Sequence, residues 1–176
     1  MTQATPAEPR WLDDHEQATW RAYLATVSLL DDALDQQLRR DAGIPHAYYM
    51  LLAMLSEAPG RSLRMSELAA VTQSSQSRVS HAVSRLEDLG WVRRDPAPTD
   101  RRGSVAVLTD EGFTVLAEAA PGHVEAVRTG LFDPLSREQV RQLRDICETV
   151  LGHLDPGRLA PLRRDRTPGP EAGVQD

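Results

Sequence analysis

A chain of 176 residues with 40% hydrophobic side chains is long enough for one domain with a substantial core and too short for two full ones. No apolar stretch approaches the roughly 18 residues of a membrane helix, the acidic, Pro-containing N-terminus lacks signal-peptide character, and a single cysteine, Cys147, excludes an internal disulfide, so a reducing cytoplasm is the expected setting. The net charge of −6 argues against a nucleic-acid partner until it is divided: residues 61–103 hold eight arginines against five acids, a locally basic segment on an acidic body.

Taken in chain order, residues 1–10 read as a flexible start. Residues 13–40 form one amphipathic helix with Trp20, Leu24, Val27, Leu34 and Leu38 along a stripe, ended by Gly43. Ile44-Pro45 opens a second helix, whose Tyr49, Leu52, Met54 and Leu55 belong in the interior, and Pro59-Gly60 closes it. A short helix begins at Ser66, an N-cap candidate, and carries Leu68, Ala69 and Val71. After a turn, a further helix starts near Ser74 or Ser75. It places Val79, Val83, Leu86 and Leu89 on one face, with Gln76, Ser77, Ser80, His81, Ser84 and Arg85 on the other. Gly90 supplies its left-handed stop.

Trp91 to Asp95 then alternates as a strand, with Val105, Val107 and Thr109 as its partner. Pro96 to Gly103, between them, is too polar and Pro-rich for core. A helix from Asp110 carries Phe113, Leu116, Ala120, Val124, Val127 and Leu131, with a bend expected at Pro121-Gly122. Ser136 and Gln139 make a capping box for a last helix that buries Val140, Leu143, Ile146, Cys147, Val150 and Leu154. From residue 156 the composition turns to Pro, Gly, Arg and Asp, predicting a disordered tail.

Helix, turn, helix and two strands joined by an Arg-rich segment is the order of a winged helix-turn-helix, within a fold that is mainly α with a small β wing. The residues match in detail: Ser77-Arg78-Val79-Ser80, Arg85-Leu86-Glu87, Leu89-Gly90-Trp91-Val92-Arg93-Arg94, Asp100-Arg101-Arg102 and Leu108-Thr109-Asp110-Glu111-Gly112. This ordered set resembles the MarR family of bacterial transcriptional regulators, as does the layout of the flanking helices. The expected organisation is N-terminal helices for dimerisation and core over 11–57, a winged helix-turn-helix over 58–109, C-terminal dimerisation helices over 110–155 and the tail over 156–176. A dimer also follows from the residues themselves, since the first and last helices carry apolar stripes with little in one chain to cover them. Paired recognition helices would suit an inverted-repeat operator in double-stranded DNA.

On the helix from residue 74, the N-terminal turns should enter the major groove, where Gln pairs with adenine and Arg with guanine. Gln76 and Arg78 are the base readers on this view, Ser75, Ser77 and Ser80 the shorter donors and acceptors, and Arg85 a phosphate contact. His81 reads as an exposed neutral side chain, with an approach to DNA as the alternative role. The resemblance implies that Arg102 enters the minor groove and is held by Asp100, with Arg101 able to share the role; a narrow minor groove attracts an inserted arginine.

The resemblance further implies an effector pocket between the dimer helices and the reading lobe. Trp11, His15, Trp20, Tyr23, His46, Tyr48 and Tyr49 could line it for an aromatic or phenolic compound, core packing being the competing role for each. The five scattered histidines and lone Cys147 hold no ligand pair at metal spacing, so no metal or cofactor is expected. Cys147 reads as a small buried hydrophobe. No Gly-x-Ser-x-Gly, His-Glu-x-x-His or phosphate-binding Gly loop supports an enzyme. The leading function is a homodimeric repressor released by a small ligand. An activator of the same family, or a winged-helix interaction module without DNA binding, is the alternative.

Overall fold

Helix α1 (Asp14–Ala42) opens on a reciprocal cap: Asp13 accepts from the Glu16 N–H at 2.7 Å, and Glu16 accepts from the Asp13 N–H at 2.9 Å. It ends at Gly43, whose φ of 70° is the left-handed stop. The computed structural model describes residues 9–97 and 100–155, and only the backbone of 100–102. The expected disordered tail and nearly all of the expected flexible start therefore lie outside the described residues. Only the C-terminal half of α1 is buried, through Leu34, Gln37 and Leu38. Trp20, Leu24 and Val27, read as part of one continuous core stripe, are about half exposed in the single chain because no element lies over that half.

Helix α2 (His46–Glu57) starts after Pro45, which has no side chain to cap it. Asp35 of α1 supplies the cap, accepting from the His46 N–H at 2.9 Å. The Arg39 guanidinium bonded to Asp35, and then that His46 amide, hold the carboxyl below the usual aspartate range. Helix α2 is the central element, burying Tyr49, Leu51, Leu52 and Leu55.

The winged region contains one strand the alternation did not reveal. Strand β1 (Ser62–Arg64) runs directly into α3 (Met65–Val71), so Ser66 lies inside the helix and Arg64 stands at the cap position. Glu67 accepts the Arg64 N–H at 2.9 Å in place of the expected serine cap. Helix α4 (Gln76–Asp88) follows, then β2 (Val92–Ala97) and β3 (Asp100–Leu108), forming an antiparallel sheet of order β1-β3-β2. The strands extend into the segment read as a loop from Pro96 to Gly103: Pro96 pairs with Ser104 and Ala97 with Asp100, across a register shift. Pro96 is accommodated because β2 is an outer strand, where a missing N–H need not break a ladder. On β3, Ala106 and Leu108 face the core, whereas Val105 and Val107 are half-buried on the other face. The core joins Leu38, Leu52 and Leu55 to Leu68, Val79, Val83, Leu86, Ala106, Leu108 and Leu116. Val71 and Leu89 end outside it, exposed.

Thr109, read as strand, instead caps helix α5 (Asp110–Val127) and ties it to the end of α4. Its N–H donates to the Trp91 carbonyl at 3.1 Å, its hydroxyl donates to the Gly90 carbonyl at 2.8 Å, and it accepts from the Gly112 N–H at 3.0 Å. The Trp91 N–H in turn donates to the Leu86 carbonyl at 2.9 Å, and Gly90 has a φ of 75°. Gly112 is obligatory: a Cβ there would sit 2.1 Å from the Trp91 carbonyl oxygen, a backbone atom.

Helix α5 continues through Pro121, and its pitch changes only at a π-helical turn over Arg128–Phe132. Proline removes one N–H there, which a helix held by packing on α1 and α2 tolerates. The buried face is Gly112, Leu116, Ala119 and His123, rotated from the expected stripe. Phe113 instead lies under the Arg61 guanidinium, 3.9 Å from its ring centre, and Val124 is exposed. Helix α6 (Arg137–Leu154) has the expected Ser136–Gln139 capping box, yet none of its residues is buried in the single chain, Cys147 included. Val140 and Leu143 are half-buried, while Ile146, Val150 and Leu154 stay exposed among the described residues.

His123 packs against the rings of Tyr49 at 4.2 Å and His46 at 5.4 Å. Burial first, and His46 second, push its pKa below the ordinary 6.5. The unfolded chain therefore binds a proton at mildly acidic pH that the folded chain refuses, so this contribution to stability is whole above about 6.5 and is lost as pH falls below it. Wild-type protein should lose thermal stability between about pH 7 and about pH 5, and His123→Gln should flatten that loss. Equal losses in both would refute the assignment. Gly112→Ala should cost roughly 3 kcal/mol, read in denaturant unfolding, because the clash is with backbone that cannot move aside.

Candidate nucleic-acid interface

The α3–α4 turn is tight. Gln73 takes a left-handed φ of 52°, and the Ser75 hydroxyl accepts from the Arg78 N–H at 3.3 Å, which resolves the cap as Ser75 rather than Ser74. With Val79, Val83 and Leu86 buried, the helix turns Gln76, Ser77, Arg78, Ser80, His81 and Arg85 to solvent. Ser75 is exposed beside them. These side chains are outward as the sequence reading expects, toward the N-terminal end of a 13-residue helix where the dipole favours negative charge. Ser84, read onto the same face, is instead half-buried because it accepts from Arg94. Arg85 lies 3.7 Å from Asp88 and is largely exposed, which leaves it able to exchange that partner for another anion.

The backbone of Asp100, Arg101 and Arg102 starts β3 at the hairpin end, and their side chains lie outside the described residues. Next to the hairpin, Arg93 pairs with Asp95 and stays mostly exposed. Arg94 behaves differently and was not singled out as a functional position from sequence. Its Nη2 donates to the Ser80 carbonyl at 2.7 Å and to the Ser84 hydroxyl at 3.0 Å, and its Nε lies 3.3 Å from Glu87 without hydrogen-bond alignment. The alternation of β2 could have marked it, since a charged side chain on the half-buried face needs a partner.

The residues considered for an effector pocket are dispersed within one chain. Trp11, His15, Trp20 and Tyr23 are exposed on or beside the uncovered half of α1, where Trp20 and Tyr23 stack at 6.0 Å. Tyr49 belongs to the core with His123. His46 lines a groove of about 460 Å³ between α1, α2 and the α3–α4 turn, opposite Arg78, and its Nδ1 is 2.9 Å from Asp31. Tyr48 lines a separate groove of about 550 Å³ along α4, with Arg78, His81 and Arg85. The periodicity that spaced these aromatics along the chain does not specify which face of each helix the other elements leave open.

Among the described residues no group of three or more His, Cys, Asp or Glu is placed to hold a metal, and no helix is long and apolar enough to cross a membrane.

The sequence profile of the MarR family matches residues 42–103, from the end of α1 to the first residues of β3. The HTH-type transcriptional regulator PecS of Dickeya dadantii is 31% identical over 132 residues, covering 74% of this chain and 79% of that protein. A MarR family transcriptional regulator from Streptomyces coelicolor, solved in complex with DNA, is 54% identical with a TM-score of 0.81, covering 85% of this chain and 94% of the other. AbsC, also a MarR family regulator of Streptomyces coelicolor, is 39% identical with a TM-score of 0.78, covering 83% and 98%. The outward polar face of α4, the hairpin beside it and these likenesses converge: the chain belongs to the MarR family of winged-helix transcriptional regulators, and not to a family of enzymes.

Proposed function

We propose that this chain is a cytoplasmic, homodimeric, sequence-specific DNA-binding repressor, which a small ligand releases from an inverted-repeat operator. The observation that carries the reading is the outward face of α4, where Gln76 and Arg78 occupy the first turn while the apolar face is fully engaged in the core. The relative solved with DNA supports it. Gln76 and Arg78 address base edges, Ser75, Ser77, Ser80 and His81 border them, and Arg85 meets phosphate. Arg102, with Asp100 and Arg101, addresses the minor groove. The acidic body does not prevent this, because physiological salt screens charges more than about 8 Å away.

The second copy covers α6 and the outer half of α1. An 18-residue helix with Val140, Leu143, Ile146, Val150 and Leu154 and no buried residue is unfavourable as a free surface. The effector acts in the grooves beside α2, at His46 and Tyr48, with Trp11, His15, Trp20 and Tyr23 contributing once a partner closes over α1. A ligand that binds better when the two lobes are apart from operator spacing shifts the population away from DNA. An activator would use the same contacts, and the effect on transcription of a reporter joined to the selected operator separates the two.

Selection of bound duplexes from random DNA tests the core of the proposal, with an inverted repeat expected and no enrichment as the refuting result. Arg78→Ala should relax preference at one or two positions of each half-site. Arg85→Ala should weaken all sequences alike and lower the salt slope by about one unit per monomer contact. Identical binding profiles for the two variants would mean that α4 is not oriented in this way. For the dimer, Leu143→Asp should yield monomers or insoluble protein, whereas truncation after residue 159 should not; a monomeric wild-type mass in light scattering at micromolar concentration would refute it.

A further inference from the structure

Apolar packing holds α4 on the body through Val79, Val83 and Leu86, and such contacts have no preferred direction. They resist lifting of the helix more than a small rotation or slide along its axis. Reading bases in one groove and inserting an arginine in another requires the opposite: a fixed rotation and a fixed distance between α4 and the hairpin. Among the described residues of β2, Arg94 has a side chain whose hydrogen bonds reach α4 directly. Ser80, Ser84 and Glu87 lie on successive turns of α4, and the Arg94 guanidinium engages all three.

We propose that Arg94 is a positioning residue for DNA reading: its guanidinium, bonded to the Ser80 carbonyl and Ser84 hydroxyl and facing Glu87, sets the rotation of the recognition helix relative to the wing. The proposal rests on the DNA-binding function above and adds a residue that touches no DNA. Arg94 is only 29% exposed on its side chain, and its charge is met by Glu87, in contrast with Arg93 on the open face. Its Nη2 donates twice inside the protein, and its Nε is buried beside Glu87 rather than open to DNA. A planar guanidinium can satisfy a carbonyl, a hydroxyl and a carboxylate at once, because its five N–H groups point along fixed directions; a lysine ammonium at the same site reaches one or two of them.

The effect should appear in specificity rather than in general affinity. Without the brace α4 samples several rotations, so the correct base contacts form in only a fraction of encounters, while phosphate attraction is nearly unaffected. The test uses fluorescence-anisotropy titrations of the full chain against its selected operator and a scrambled duplex, over a series of salt concentrations. Arg94→Ala should weaken operator binding roughly 10- to 100-fold, with little change for the scrambled duplex and an unchanged salt slope. Arg94→Lys should recover only part of the loss.

Full recovery with lysine, or a salt slope lowered by about one unit per subunit, would overturn the proposal in favour of a plain charge contact. Equal weakening on both duplexes would also overturn it. Should Arg94→Ala unfold, Ser84→Ala and Glu87→Gln serve instead: each should lower the ratio of operator to scrambled affinity at unchanged melting temperature, and an unaltered ratio in both would end the proposal. A wild-type chain that selects no sequence would remove the DNA-binding function itself, whereas selective wild-type binding with indifferent Arg94 variants would remove this inference alone.

Discussion

The carbonyl of Trp91 is where three parts of the molecule meet. It accepts from Thr109, the cap of α5; its own residue's amide reaches back to Leu86 at the end of α4; and it lies so near Gly112 that no side chain fits between. The recognition helix, the root of the wing and the long helix that leads to the outer face are therefore joined through a few backbone atoms. Peptide groups at van der Waals limit deform little, so this joint is the tightest backbone approach between α5 and the reading lobe that a side chain at Gly112 would disturb. The Leu108-Thr109-Asp110-Glu111-Gly112 motif has this physical content: a core leucine, a cap that donates twice and accepts twice, two acids in the first helical turn, and a glycine for close approach.

The body around this joint is unequally finished. Residues from α2, α3, α4 and the sheet close a complete apolar core, whereas α6 and the outer half of α1 contribute almost nothing to it. Charge is uneven too: residues 61–103 are net basic, with eight arginines against five acids, and the rest of the chain is net acidic. Even the acids within reach of the lobe have local tasks: Asp35 caps α2, Glu67 takes the amide of Arg64 at the cap position of α3, and Glu87 faces Arg94.

Much of this was legible from sequence where one residue type performs one local task. Gly43 and Gly90 at positive φ, Ser75 and Ser136 as caps and the buried face of α4 follow from chain chemistry alone. The outward face of α4, and hence most candidate DNA contacts, follows by subtraction. What escaped depends on partners distant in sequence. Strand β1 is three residues long and exists because β3 pairs with it. The buried stripe of α5 includes Ala119 and His123, which a count of large apolar residues passes over, and its rotation is decided by where α1 and α2 lie. Asp35 and Arg94 act across 11 and 14 residues of chain, beyond any periodicity. The aromatics read as pocket residues lie apart in the single chain, and which of them share an open face is a property of the assembled helices.

The outer position of β2 has a consequence for the company the wing can keep. An unpaired strand edge is a template for another chain's backbone, and a hairpin held out from the body is the place where such pairing would begin. Pro96 withdraws one donor from that edge, the register shift beside it twists the strand away from flatness, and Arg93 and Asp95 bring charge to the same stretch. The edge of β2 is thereby a poor template for the backbone of a second copy, and sheet-to-sheet pairing is disfavoured at the hairpin.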